Sequence, residues 1–265
     1  DATAEIARKY KCRIFRRPNL PMLNSNKNFG FTKARGDWIL NLDADEVVTY
    51  VLRQEIDRVI LSGGQISGYW IPRKNIIFGK WIRHGIWWPD RQIRLFKRGR
   101  GSFPEKKIHE YLTVDGPVGE LTESYDHFNY RSVSQYISTL DRCTTSEARE
   151  LAEAGYSPAW HDAIRFPVSD FLKIYFAQAS WRDGLHGLVL SLMQAFYALV
   201  LYAKAWENQK FPEIDPPFSS LTREMALAAG DFKFWLLSTR IERERNPVRK
   251  LYLRIRRSVL RRLKI

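Results

Sequence analysis

Hydrophobic positions along the first sixty residues alternate between helical and strand periods. In "DATAEIARKY", Ile6, Ala7 and Tyr10 share one helical face behind a capping Asp1 or Thr3. "KCRIF" then predicts a short strand, the proline-bearing "RRPNLPMLNSN" a loop, and "KNFGFTKARG" a helix ending at Gly36. "DWILNLDADE" predicts a buried strand running into acid. In "VVTYVLRQEIDRVIL", Val48, Val51, Leu52, Ile56, Val59 and Ile60 fall at helical spacing. The order helix, strand, helix, strand, helix predicts an α/β domain with a mostly parallel sheet.

From Gly63 to Gly99 the pattern changes to β-branched and aromatic residues alternating with Arg and Lys, which predicts short antiparallel strands added to that sheet. Beyond about residue 131 it becomes helical. "SVSQYISTLDRCTTSEARELAEAG" predicts an amphipathic helix, and "LHGLVLSLMQAFYALVLYA" is near the length of a membrane span but contains His186 and Gln194. A helix lying in a membrane interface, or a hairpin dipping into one leaflet, fits that stretch, with a buried helix of a helical subdomain as the alternative. The terminal "NPVRKLYLRIRRSVLRRLKI" places Leu251, Ile255, Val259 and Leu263 four apart among Arg and Lys. That is a basic amphipathic helix suited to an anionic membrane surface; a solvated charged tail is the alternative.

Composition narrows the reading. The 265 residues, 45% hydrophobic, can bury one or two cores. Cys12 and Cys143 have no zinc or disulfide-framework spacing. The formal net charge of +14 admits nucleic acid, anionic lipid or phosphorylated substrates as partners, but no recognised nucleic-acid motif is present. Against that basic background, "NLDADE" gathers Asp43, Asp45 and Glu46 at the carboxyl end of a predicted strand, where ligands of open α/β sheets bind. Residues 43 and 45 project to one side if strand geometry persists, and both can then reach one hard cation. The bland alternative is that Asp45 or Glu46 caps the next helix.

Several ordered stretches extend this. "NSNKNFGFTKARGDWILNLDADE" resembles the corresponding region of inverting family 2 nucleotide-sugar glycosyltransferases. "RQIRLFKRG", "KKIHEYL", "YDHFNYRS", "FLKIYFAQASWRDGLHG" and "YAKAWE" look like the subgroup that builds bacterial lipopolysaccharide core. The resemblance covers most of residues 1 to about 207. It implies a GT-A (Rossmann-like) sheet domain over residues 1–130, a helical, membrane-associated region over 131–210, and a linker with the basic helix over 211–265. Family members begin with a strand, helix and strand whose acidic loop holds the nucleotide base; Asp1-Ala2-Thr3 resembles only the tail of that loop. The expectation is therefore of a domain lacking its first half-unit, with a catalytically dead fragment as one reading.

The reaction the resemblance implies moves a sugar, hexose from UDP-hexose, to a lipid-linked saccharide such as the lipopolysaccharide inner core, at the cytoplasmic face of the bacterial inner membrane. A polyprenyl-phosphate, capsule or exopolysaccharide acceptor is the alternative, and a basic nucleic-acid-binding protein the competitor of another class. By resemblance, Glu110 occupies the position of the base that takes the acceptor proton, and His109 orients the acceptor or a phosphate. Lys27 and Asn28 carry over as donor-site residues. Asp45 would hold Mn²⁺ or Mg²⁺, Asp43 would assist the metal or the ribose, and His127 would complete the site, although a histidine between aromatics equally suits a structural role. Arg91 and Arg94 are candidates for a phosphate clamp or for plain exposed strand positions. Trp81, Trp87 and Trp88 suit sugar stacking or, more ordinarily, a core.

Overall fold

The computed structural model describes residues 2–18, 23–104 and 110–263. Its helices are α1 (Thr3–Lys9), α2 (Leu23–Lys33), α3 (Tyr50–Leu61), α4 (Val133–Glu153), α5 (Asp162–Phe171), α6 (Leu185–Asn208), α7 (Phe218–Arg243) and α8 (Pro247–Leu263). Its strands are β1 (Trp38–Leu40), β2 (Glu46–Val47), β3 (Gly68–Ile77), β4 (Lys80–Trp81), β5 (Arg91–Lys97), β6 (Gly101–Ser102), β7 (Thr113–Val114), β8 (Val118–Glu120) and β9 (Tyr125–His127). The chain divides into two compact units: Asp1–Asp43, Arg53–Ile71 and Gln92–Glu123 form the first; Ala44–Leu52, Pro72–Arg91 and Ser124–Ile265 the second. The 43/44 boundary falls inside "NLDADE", so the motif gives one aspartate to each unit.

In the first unit β1 runs antiparallel to β5, with Trp38 opposite Lys97 and Leu40 opposite Leu95. β8 runs parallel to the start of β3, with Gly68 opposite Val118. Ile39, Ile93, Phe96, Phe103 and Leu112 form the core, and Phe31 and Ala34 of α2 pack onto it. Phe31 meets Phe96 edge-on at 5.0 Å. Lys27 and Asn28 lie four and three residues before Phe31, on the same side of α2, so anchoring Phe31 fixes where they point.

In the second unit β9 runs parallel to the later part of β3 and antiparallel to β2, while β4 folds back on β3. The fold is α/β as expected, but the described ladders are mixed rather than mostly parallel. The short return from β3 to β4 places an antiparallel neighbour where an α/β alternation alone would place a crossover. Ile77, Ile82, Trp87, Ile174 and Leu190 share a core that joins these strands to the helical region. Buried Asp183 ties them further: its carboxylate accepts the backbone N–H groups of Arg83 and His84 at 3.1 and 2.9 Å.

Ser132 caps α4, accepting the Gln135 N–H at 3.1 Å. α6 lies along α4 through polar tethers: Tyr197 donates to Glu147 at 2.6 Å, Lys204 to Asp141 at 2.7 Å, and Asn208 to the Ala148 carbonyl at 3.1 Å. Gly187 of α6 tolerates no side chain, since a Cβ there would sit 1.8 Å from the Ser180 carbonyl oxygen. α8 packs on α7 through Leu253, Leu237 and Ile241.

Four local expectations are corrected. "KCRIF" forms no ladder among the described residues. Its side chains hold it instead, with Arg13 donating to the Lys33 carbonyl at 2.7 Å and Phe15 edge-on to Phe29. α2 starts at Leu23 and stops at Lys33, where Ala34 turns back to the Phe31 carbonyl in a tighter closure. α1 buries none of its expected face, and its start carries no side-chain cap. Residues 218–243, placed in a linker, form the 26-residue α7.

Candidate active site

In the first unit, β1 ends beside β5, and the Asn41 N–H donates to the Arg94 carbonyl at 2.8 Å, which carries the chain on to Asp43. Asp43 is held from both sides. Lys27 Nζ lies 2.7 Å from Oδ1, and Arg94 Nη2 donates to Oδ2 at 2.9 Å. Burial alone would raise the Asp43 carboxyl, but the Lys27 hydrogen bond and the Arg94 charge outweigh it and hold the group below the ordinary carboxylate range. Arg94 is buried and committed to this pair, so the picture of two exposed strand arginines does not hold for it. Arg91 is exposed at the start of β5, and its odd separation from Arg94 points the two to opposite faces of the strand.

Asn28 uses both ends of its amide on one residue. Nδ2 donates to the Phe103 carbonyl at 2.9 Å and Oδ1 accepts the Phe103 N–H at 2.9 Å. It thereby holds the chain at Phe103; Glu110 is half-buried. His109 lies outside the described residues.

In the second unit the β2–β9 ladder sets Glu46 opposite His127, and the Phe128 N–H donates to the Asp45 carbonyl at 2.9 Å. Asp45 Oδ2 then stands 3.5 Å from His127 Nε2. Behind the ring is Asn75, 1% exposed, one residue that sequence reasoning missed. Its Nδ2 donates to the Trp87 carbonyl at 2.9 Å and to Asp90 Oδ2 at 3.0 Å, so its Oδ1, 2.7 Å from His127 Nδ1, must accept. His127 therefore carries its proton on Nδ1, and in the neutral ring Nε2 presents a lone pair toward the Asp45 carboxylate. Arg73 completes the chain, donating through Nε to Asp90 Oδ2 at 2.8 Å. The only signal for Asn75 in the sequence is a polar residue on a buried strand, which names no partner.

Capping does not explain the acids. α3 begins at Tyr50, and Thr49 caps it, its Oγ1 accepting the Leu52 N–H at 3.2 Å and donating to the Ser124 carbonyl. Of the tryptophans, Trp87 is buried in the core, whereas Trp81 meets Trp88 edge-on at 5.2 Å with Arg83 over its face.

Among the described residues no three His, Cys, Asp or Glu side chains converge as a metal centre. Asp45 still supplies a carboxylate, the donor that suits Mn²⁺ and Mg²⁺, and His127 an imidazole, which suits a divalent transition ion better than Mg²⁺. Such ions are commonly held by one or two protein ligands with substrate phosphates filling the rest. Two acceptor atoms facing each other at 3.5 Å fit a cation or a proton between them.

Residues 1–111, less than half of the chain, match the family model described as Glycosyl transferase family 2, a family with the GT-A fold. Over 198 residues it is 28% identical to the lipopolysaccharide core biosynthesis glycosyltransferase LpsC of Rhizobium meliloti (strain 1021), covering 73% of each chain. Uncharacterized glycosyltransferases of Rickettsia bellii (strain RML369-C) and Rickettsia typhi (strain ATCC VR-144 / Wilmington) are 25% and 23% identical over 218 residues, 78% of this chain and 74% of theirs.

Proposed function

We propose that this chain is an inverting glycosyltransferase that transfers a hexose from UDP-hexose to a lipid-linked saccharide such as the lipopolysaccharide inner core. The observation that carries the proposal is the Asn75-fixed His127, whose Nε2 faces Asp45 at 3.5 Å. Asp45 and His127 would hold the divalent ion, which when bound neutralises charge growing on the departing diphosphate. Asp43, whose two oxygens already face Lys27 and Arg94, suits the donor's ribose better than a metal. Arg91 would meet phosphate.

Glu110 takes the proton of the acceptor hydroxyl as its oxygen bonds to the anomeric carbon from the side opposite the leaving group. The bond from that carbon to the diphosphate oxygen breaks, and UDP leaves with the electron pair. His109 would orient the acceptor.

The helical region, residues 131–210, and the basic helix within 211–265 are proposed to hold the enzyme on the cytoplasmic face of the inner membrane. α6 is long and apolar enough to cross a membrane by length and composition, and only 22% of its most apolar window is buried. Its exposed Leu185, Leu192, Phe196 and Leu199 form one stripe, while Gly187, Leu190, Ala198 and Ala205 face its neighbours. A helix tethered along α4 with one apolar side outward suits an in-plane position.

Calorimetric titration of UDP with and without Mn²⁺, repeated on Asp45→Asn, tests the site. Metal-dependent binding weakened more than tenfold in the variant is expected; equal affinity in both proteins sinks the assignment.

A further inference from the structure

Within the second unit lies a cavity of about 280 Å³ that no step above uses. Trp87, Tyr130, Tyr136 and Tyr197 give it aromatic walls, and Arg73 and Asp90 give it a polar floor. The floor carries no net charge, because Arg73 and Asp90 are paired at 2.5 Å. Nothing there offsets a diphosphate. The volume falls just short of the roughly 300 Å³ at which drug-sized ligand sites begin, which limits an occupant to about one ring; such sites are typically apolar with a few polar groups that fix orientation. Burial pushes the phenols of Tyr130 and Tyr136 up, so both stay protonated and able to donate. Flat apolar faces beside hydroxyl donors, an amide on Gln194 and a held carboxylate match a pyranose ring, which shows C–H to one side and hydroxyls around its rim.

We infer that this cavity is a subsite for one neutral sugar ring of the acceptor saccharide. The inference rests on the transferase reading and deepens it. Asp90, which lines the cavity, accepts from Asn75, the residue that orients His127, so a ring seated against Asp90 bears on the tautomer lock that faces Asp45. Seating of the acceptor and orientation of the imidazole then share one carboxylate.

Cys143 lines the cavity and serves as its reporter once the exposed Cys12 is replaced by Ser. Alkylation of Cys143 in the full chain is timed alone, with UDP-glucose, and with lipid-free, phosphatase-treated core oligosaccharide. At least fivefold slowing by the oligosaccharide, and none by UDP-glucose, is the expected result. Absence of slowing by the oligosaccharide, or slowing by the nucleotide sugar, overturns the assignment. A second variant, Gln194→Trp, fills the space from α6. It should raise the acceptor KM at least tenfold while UDP affinity stays within twofold, and an unchanged acceptor KM overturns the subsite. Failure of the transferase reading looks different: no transfer by the wild-type chain, with the oligosaccharide still protecting Cys143.

Discussion

Asn75 is buried and its side chain makes three described bonds, so its loss reaches several partners at once. Asn75→Ala would strand the Nδ1 proton of His127 in the interior, a loss of about 1–3 kcal/mol by the cost of an unsatisfied buried group. Loss of a group that orients a metal ligand typically weakens metal binding about 10–100-fold, so Mn²⁺ titration should show that drop alongside a lower urea midpoint. A purely structural role for Asn75 would lower the midpoint and leave Mn²⁺ affinity intact. Asp43 makes a pH statement instead. Its folded carboxyl lies below its unfolded value, so its contribution is complete above the ordinary carboxylate range, near about pH 3.9, and is lost as pH falls through the lower folded value. Asp43→Asn should therefore be less stable than wild type at neutral pH, with the gap closing in acid. The side chain is 37% exposed, so solvent screening keeps the effect small. Denaturant melts at a series of pH values check the sign.

At the scale of elements, the helices with one clean apolar face are the ones visible in the sequence. α4 and α8 show such faces, and both form. α7 does not: its apolar residues are spread around the helix and Gly230 interrupts it, so propensity and period point nowhere and packing against its neighbours decides. "KCRIF" fails for the opposite reason, since a strand pattern commits to a strand only where a partner edge is supplied. "NLDADE" located both aspartates, but which cation or ring each would meet depends on β5 and β9, some fifty and eighty residues on, and no local pattern encodes that. On α6, Gly187 is a packing requirement that hydropathy hides. Gly187→Ala would force Ser180 away and cost about 1–3 kcal/mol or more as overpacking, measurable as a fall in thermal midpoint.

At the scale of the whole molecule the positive charge is unevenly placed. Residues 247–265 hold eight Arg and Lys and no acid, more than half of the net +14. On α8, Val248, Leu251, Tyr252, Ile255 and Val259 form an exposed apolar stripe, while Leu253 turns the other way onto α7. Arg249 and Arg256 flank one border of the stripe, Lys250 and Arg254 the other, as helical spacing requires. Basic residues near an anionic surface contribute about 1 kcal/mol each. Reversing two of them, Arg249→Glu with Arg254→Glu, should weaken sedimentation with anionic vesicles more than tenfold at low salt. The gap should narrow sharply at 1 M salt, where the screening length is about 3 Å. Leu251→Asp with Ile255→Asp attacks the stripe itself, and its defect should persist at high salt. Transfer to a lipid-free oligosaccharide should be unchanged in both double variants, while transfer to an acceptor embedded in vesicles falls with binding. A charge-reversed protein that still sediments like wild type at low salt would place the membrane contact elsewhere, with the exposed α6 stripe as the next apolar face to test.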